Sequence, residues 1–238
     1  MPKFKIQNHT AHSATVSNNM KQLFIYSLLL FFTITCKNES TKAIDKEDYK
    51  EKSFKQKLQT NKDLKSEILF DEEKKIYSNL EYGITVNFPD NWETDMGTTQ
   101  NSLIRGFERD SGITMIIVPI EIKKGTETYK AQNQLLEFYA ENEEMFNKTM
   151  TNNLEQNLQT RIFSFTSKKS FINNQPTIQS KFIYIMRHLD EEYEQMNIQH
   201  QFWREPYSYT VSLSLPLLFY NENPKQYEWL FTNISFTK

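Results

Sequence analysis

Residues 207–215 read Tyr-Ser-Tyr-Thr-Val-Ser-Leu-Ser-Leu. Tyr207, Tyr209, Val211, Leu213 and Leu215 alternate with Ser208, Thr210, Ser212 and Ser214. A period of two is that of a β-strand. One face is apolar and the other polar, as expected of an antiparallel sheet with one side on a core and one toward water.

Upstream, the same periodicity recurs. Tyr82, Ile84, Val86 and Phe88 alternate with Gly83, Thr85 and Asn87, a half-buried strand. Pro89-Asp90-Asn91 turns the chain and Trp92 follows as a core anchor. Leu103–Phe107 and Ile113–Ile122 read as the next strands, with Asp110-Ser111-Gly112 as a hairpin turn between them. A helix is expected from about Thr128 to Asn147, with Leu135, Leu136, Tyr139, Ala140 and Phe146 on its apolar face. Gln159–Ser167, Thr177–His188 and Gln195–Arg204 complete the strands before residue 207, punctuated by Asn173-Asn174-Gln175-Pro176 and Asp190-Glu191-Glu192. Asn223 is an N-cap and Pro224 fits the first helical position. Tyr227, Leu230, Phe231 and Ile234 then form one stripe. Runs of strands around one long helix and a closing helix imply an α+β domain over residues 76–238.

Two segments resemble the PsbP-like and DcrB-like domains. EYGITVNFPDNW, residues 81–92, is similar to their opening strand: an aromatic, a glycine, a β-run, Phe-Pro and a Trp. PKQYEWLFTNISF, residues 224–236, is similar to their final helix, which ends in an apolar residue, any residue, then Ser-Phe. The resemblance spans Tyr77 to Phe236 and departs at the acidic helix near Glu141 and the long Ile178–Arg204 hairpin. It implies an antiparallel sheet flanked by helices, an α/β/α sandwich, and accessory, assembly or chaperone roles.

The N-terminal third carries a different signal. Leu23–Thr35 is a thirteen-residue apolar run preceded by Lys21 and followed by Cys36, the sole cysteine. The run is short for a transmembrane helix, which needs about twenty residues, and fits the apolar core of a secretory signal. With Thr33 and Thr35 ahead of the thiol it resembles the lipobox of bacterial lipoproteins, with Thr where Leu and Gly or Ala are usual. That resemblance implies lipidation at Cys36 and residence in the cell envelope. Lys37 lacks the acidic character that favours inner-membrane retention, so the outer membrane is expected, with the periplasmic and surface faces both open. Residues 1–19 read as an over-extended start, since Met20-Lys21 opens the signal, and 20–35 as the signal peptide. Residues 36–75 are rich in Lys, Glu, Asp and Asn and read as a lipidated tether. As a coil it would reach about 30–35 Å.

Charge and composition exclude several chemistries. The chain has 28 basic and 30 acidic side chains, without the basic excess of a nucleic-acid surface. Its five glycines are isolated, so no phosphate-cradling loop is expected. No serine lies in a nucleophile elbow. Glu143/Glu144 and Glu191/Glu192 are sequence neighbours on exposed surfaces, poorly placed for acid–base work. His188 and His200 flank a hairpin whose turn is expected at 191–192, which leaves them several residues out of register; they read as solvated or edge-strand side chains and not as metal ligands. No cofactor is expected.

Trp203, Arg204, Tyr207, Phe219 and Tyr220 gather around the last strands and the 216–222 loop. They suit either core and rim packing or an exposed platform for a protein or glycan. Two functions follow from these readings. The first is a non-enzymatic, membrane-anchored accessory or assembly module for another envelope protein. The second is a binder of a small molecule or glycan, or an enzyme with an unfamiliar site, using the sheet's cavity or the 216–222 loop.

Overall fold

The computed structural model describes residues 68–96, 102–188 and 191–237. Cys36, the signal peptide and most of the tether lie outside these residues.

All strand pairings are antiparallel. The described chain is already in a strand upstream of the boundary expected at residue 76. Ile68–Asp71 forms β1 and pairs with β2, Ile76–Asn79. The tight turn between them needs Lys75 at φ 53° and is held by the Lys74 N–H donating to Asp71 Oδ1 at 3.0 Å. β3 (Ile84–Asn87) and the last strand, β11 (Ile234–Phe236), complete a four-stranded sheet ordered β1-β2-β3-β11.

The larger sheet has seven strands. They are β4 (Glu93–Asp95), β5 (Ile104–Glu108), β6 (Ile113–Glu121), β7 (Ile162–Ile172), β8 (Gln175–His188), β9 (Glu191–Arg204) and β10 (Tyr207–Pro216). Their spatial order is β4-β5-β6-β10-β9-β8-β7. The β8–β9 pairing runs as far as His188 and Glu191, and the expected turn lies next to residues outside the described ones.

The single helix expected over 128–147 is instead three, α1 (Glu127–Asn133), α2 (Leu135–Glu141) and α3 (Glu143–Leu158). Gln134 and Asn142 break the run without glycine or proline, at φ/ψ of −103°/10° and −136°/36°. The breaks turn two separate stripes to the sheet: Leu135, Phe138 and Tyr139 in α2, then Phe146, Met150 and Leu154 in α3. A continuous helix would have buried Ala140, which is exposed here. The chain closes through α4 (Leu217–Glu222), α5 (Pro224–Trp229), a 3-10 turn at Leu230–Asn233 and β11. Asn223 caps α5 by accepting from the Gln226 N–H.

Two cores result, one on each face of the large sheet. Helices α1–α3 pack on Ile162, Ile178 and Phe182. On the opposite face the small sheet and closing segment bring Tyr77, Val86, Leu230, Phe231 and Ile234 onto Ile117, Ile198, Phe202, Val211 and Leu213. The fold is thus the expected α+β class, an antiparallel sheet flanked by helices. On the second side a small sheet shares the outer layer with the closing helices.

Gly106 marks the tightest point of the second core. A Cβ there would lie 2.3 Å and 2.4 Å from Phe88 ring carbons and 3.0 Å from Trp92. Phe88 and Trp92 stack at 6.1 Å, so neither ring can retreat without displacing the other. Gly106→Ala should therefore lower unfolding free energy by about 1–3 kcal/mol, the range for overpacking a closed core, read from a urea midpoint shift at constant m.

Candidate functional site

The five aromatic and basic residues singled out by sequence do not share a surface. Trp203 faces the α1–α3 layer, where its indole N–H donates to Asn133 Oδ1 at 2.7 Å and its ring meets Tyr129 edge-on at 5.4 Å. Arg204 faces the opposite side. Its guanidinium donates to the carbonyls of Gly83 and Thr237 and lies 5.1 Å above the Phe236 ring. It therefore clips the chain end onto the β2–β3 turn. Tyr207 stacks obliquely on Tyr82 at 4.7 Å beside Tyr209. Phe219 and Tyr220 lie at the far end of β10, on α4. The ten-residue strand β10, of which Tyr207 is the first residue, lies between, about 30 Å at a strand's rise per residue. Tyr220 accepts a hydrogen bond from Lys181 Nζ at 2.9 Å and donates to Glu228 at 3.2 Å. Each of these residues is engaged in packing or bonding within the domain.

His200 is also not where the sequence suggested. It is 2% exposed, because β9 runs between β8 and β10 and its ring lies 4.5 Å from Phe231 of the closing segment. Its cross-strand partner is Gln179, whereas the backbone of His188 pairs with Glu191, so the two histidines are well apart on the hairpin. Among the described residues no group of three or more His, Cys, Asp or Glu side chains could hold a metal. Gln179 Nε2 lies 3.0 Å from His200 Nε2 and, being an amide nitrogen, donates. The ring proton is then on Nδ1, donating to Thr177 Oγ1 at 2.9 Å. Burial holds the imidazole pKa down at about 3; Glu228 opposes this, and Lys168 and Lys181 reinforce it.

Two features that sequence reading did not find are more informative. The first is β7. It ends the large sheet, pairing among the described residues only with β8, and is eleven residues long. Its side chains are mostly exposed, including Phe163, Phe171, Lys168 and Lys169. The segment Ile162–Ile172 contains no acidic residue, and Arg161 precedes it.

The second is the polar face of β9 and β10. Sequence alternation assigned that face to water, yet Ser208 is fully buried and Thr210 is 8% exposed. Gln195, Asn197, Gln199 and Gln201 on β9 are buried with them. Register places these groups in neighbouring rows. Ser180, Gln199 and Ser212 lie side by side across three strands, and Gln201 and Thr210 pair in the next row. In the row beyond, Ser208 donates to Gln132 Oε1 of α1 at 2.9 Å. Part of the layer is satisfied: Asn197 Nδ2 donates to Ser212 and Ser214 at 2.9 Å and 2.7 Å. Gln132 Nε2, Ser180 Oγ, Gln199 Oε1, Gln201 Nε2 and Thr210 Oγ1 have no partner, nor does Asn153 Nδ2 on the buried face of α3. Leaving a buried polar atom unpaired costs about 1–3 kcal/mol, and native proteins carry only a few such atoms per hundred residues. The sequence did carry a signal: amides at 195, 197, 199 and 201 alternate with apolar residues and His200.

No family model matches the chain, and no curated protein matches it. Among solved structures it is similar to the cyanobacterial PsbP, CyanoP, of Synechocystis sp. PCC 6803, at 10% identity and a TM-score of 0.45, covering 72% of this chain and 94% of that one. It is also similar to a protein of Bacteroides thetaiotaomicron VPI-5482 at 12% identity and a TM-score of 0.41, covering 66% of this chain and 46% of that one. A Pseudomonas aeruginosa protein of unknown function matches at 8% identity and a TM-score of 0.31, over 68% of this chain and 96% of that one. These are likenesses of chain path and carry no statement about activity.

The buried histidine gives a test of the β9 environment. His200 is neutral in the fold down to about pH 3 but takes up a proton near 6.5 when unfolded. The unfolded state therefore binds more protons between those values. The contribution is complete above pH 6.5 and is lost as pH falls, by about 1.4 kcal/mol per pH unit for one proton. Urea midpoints of wild type and His200→Gln at pH 7.5 and 5.0 should show the steeper acid loss in wild type.

Proposed function

We propose that the protein is a non-enzymatic, lipid-anchored accessory module that binds another protein of the cell envelope by strand addition at β7. Cys36 supplies the anchor and residues 36–67 the reach, placing the domain away from the membrane surface.

The observation that carries this reading is the β7 edge, which among the described residues pairs only with β8. An unpaired edge presents a row of backbone donors and acceptors to an incoming chain. Eleven residues offer a long ladder. Arg161, Lys168 and Lys169 give it positive charge with no acid in the strand. The lysines disfavour pairing with a second copy of the same edge, since like charges would meet across the ladder. They favour an extended partner segment that carries Asp or Glu. Exposed Phe163 and Phe171, at 54% and 65%, add apolar contact near both ends of the strand.

The test is cross-linking in intact envelopes from a photoreactive residue at Thr166, using the lipidated protein, with Cys36→Ala and Lys168→Glu/Lys169→Glu as controls. The expected result is one dominant adduct mapped to an acidic extended segment, reduced at least tenfold by charge reversal and diminished without the anchor. An adduct unchanged by charge reversal, an adduct to a second copy of this chain, or none at all would overturn the assignment.

A further inference from the structure

Taking strand addition at β7 as the premise, we infer that the partner segment pairs antiparallel with Phe165–Phe171 and carries two adjacent acidic residues between two apolar ones.

The hairpin fixes which backbone groups of β7 are offered. Asn173-Asn174 joins β7 to β8, with Asn173 at φ 50°, and Ile172 pairs with Gln175 across this two-residue turn. Such a turn closes on a hydrogen bond between its flanking residues, so Ile172 and Gln175 form a bonded pair. Bonded and non-bonded pairs alternate along an antiparallel ladder. Ser170, Lys168 and Thr166 therefore direct their N–H and C=O groups at β8, and Phe171, Lys169, Ser167 and Phe165 direct theirs outward. Pro176 agrees with this phase: it stands opposite Phe171, where β7 needs no N–H from β8. Toward the start of the strand the ladder is closed off. The register shifts between Ile162 and Ser164, and the Ile162 N–H donates to Glu155 Oε1 of α3 at 3.1 Å.

Side chains then set the partner's sequence, because directly opposed residues share a face of the sheet. The outward-bonding row lies on the helical side. Phe165 stacks with Phe182 at 6.3 Å, Ser167 bonds to Tyr139 at 2.9 Å, and Lys169 and Phe171 follow, both exposed. Lys168 lies on the other face, in register with Gln179. Among the described residues neither Lys168 nor Lys169 is in an ion pair, whereas Lys181 is held by Glu228. Successive residues of an added strand also alternate in face, so two successive lysines are matched by two successive acids. Phe171 calls for an apolar residue two positions before the first acid, and Phe165 for another three positions after the second. A partner held by charge alone would be indifferent to that spacing.

The test is fluorescence anisotropy of labelled, end-blocked peptides with the full-length protein in detergent. The probe is Val-Thr-Glu-Asp-Ser-Thr-Val. A transposed peptide, Val-Glu-Thr-Asp-Ser-Thr-Val, has the same composition but puts both acids on one face. Two further versions of the probe are N-methylated: one at Glu and Ser, which would face Lys169 and Ser167, the other at Asp and the second Thr, which would face Lys168 and Thr166. The expected result is saturable binding of the probe, at least tenfold tighter than the transposed peptide. Methylation at Glu and Ser, or Lys169→Glu in the protein, should weaken it at least tenfold, and methylation at Asp and Thr should leave it nearly unchanged. No saturable binding of the probe, equal binding of the transposed peptide, or equal losses from the two methylation patterns would overturn the inference. The envelope adduct from Thr166 judges strand addition separately: an adduct on an extended acidic segment whose acids are not adjacent would overturn this partner sequence and leave strand addition standing.

Discussion

Everything in this structure depends on the large sheet being covered on both faces. β9 and β10 lie near its centre, and from Gln195 to Phe202 every β9 residue is buried. One face of these strands is apolar, with Met196, Ile198, Phe202, Val211, Leu213 and Leu215 packed on the small sheet and closing segment. The other is a run of amides and hydroxyls under α1–α3. A sheet covered on both sides is ordinarily apolar on both. Here one interlayer is polar, and it is stabilised only where its groups find each other, as Asn197 does with Ser212 and Ser214.

The apolar interlayer is closed by long-range contacts that bring the last strands back to the first described ones. Tyr209 donates to the Tyr82 carbonyl at 2.6 Å, and its ring stacks on Phe202 at 5.0 Å, nearly parallel at 4°. Burial raises the Tyr209 pKa well above that of an ordinary phenol, so the hydroxyl remains a donor at any physiological pH. Asn173, in the β7–β8 turn at φ 50°, donates to the carbonyls of Thr232 and Ile234. At the other edge of this layer Lys181 meets Glu228 at 2.5 Å. Burial alone would lower the lysine pKa, but the bonds to Glu228 and Tyr220 outweigh it and hold it above its usual value. The rows from Tyr77 through Ile234 thereby become one core although the residues are far apart in sequence.

Strand periodicity was readable because it is local: the pleat alone puts alternate side chains on opposite faces. Leu230 and Phe231 were recognisable from an equally local helical spacing and Trp92 from its place after the Pro89 turn, and all three are buried. The helical region was harder. The breaks at Gln134 and Asn142 are imposed by packing two stripes on one sheet, and no glycine or proline announces them. The aromatic group at Trp203–Tyr220 looked like one cluster because its members are close in sequence. Successive strand residues point to opposite faces and α4 lies a full strand away, so proximity along the chain did not become proximity in space.

Sequence by itself determined the α+β class, the antiparallel strands, the cap at Asn223 and the apolar segment before Cys36. These follow from short-range pattern, spacing and composition. Only the tertiary structure decided that the Ser–Thr face of β10 is buried, that His200 is a core side chain, and that β7 ends the large sheet among the described residues. The reason is that alternation states which residues share a face but not what covers it. Strand order and the position of the helices settle that, and both are fixed by contacts between residues as far apart as Tyr82 and Tyr209.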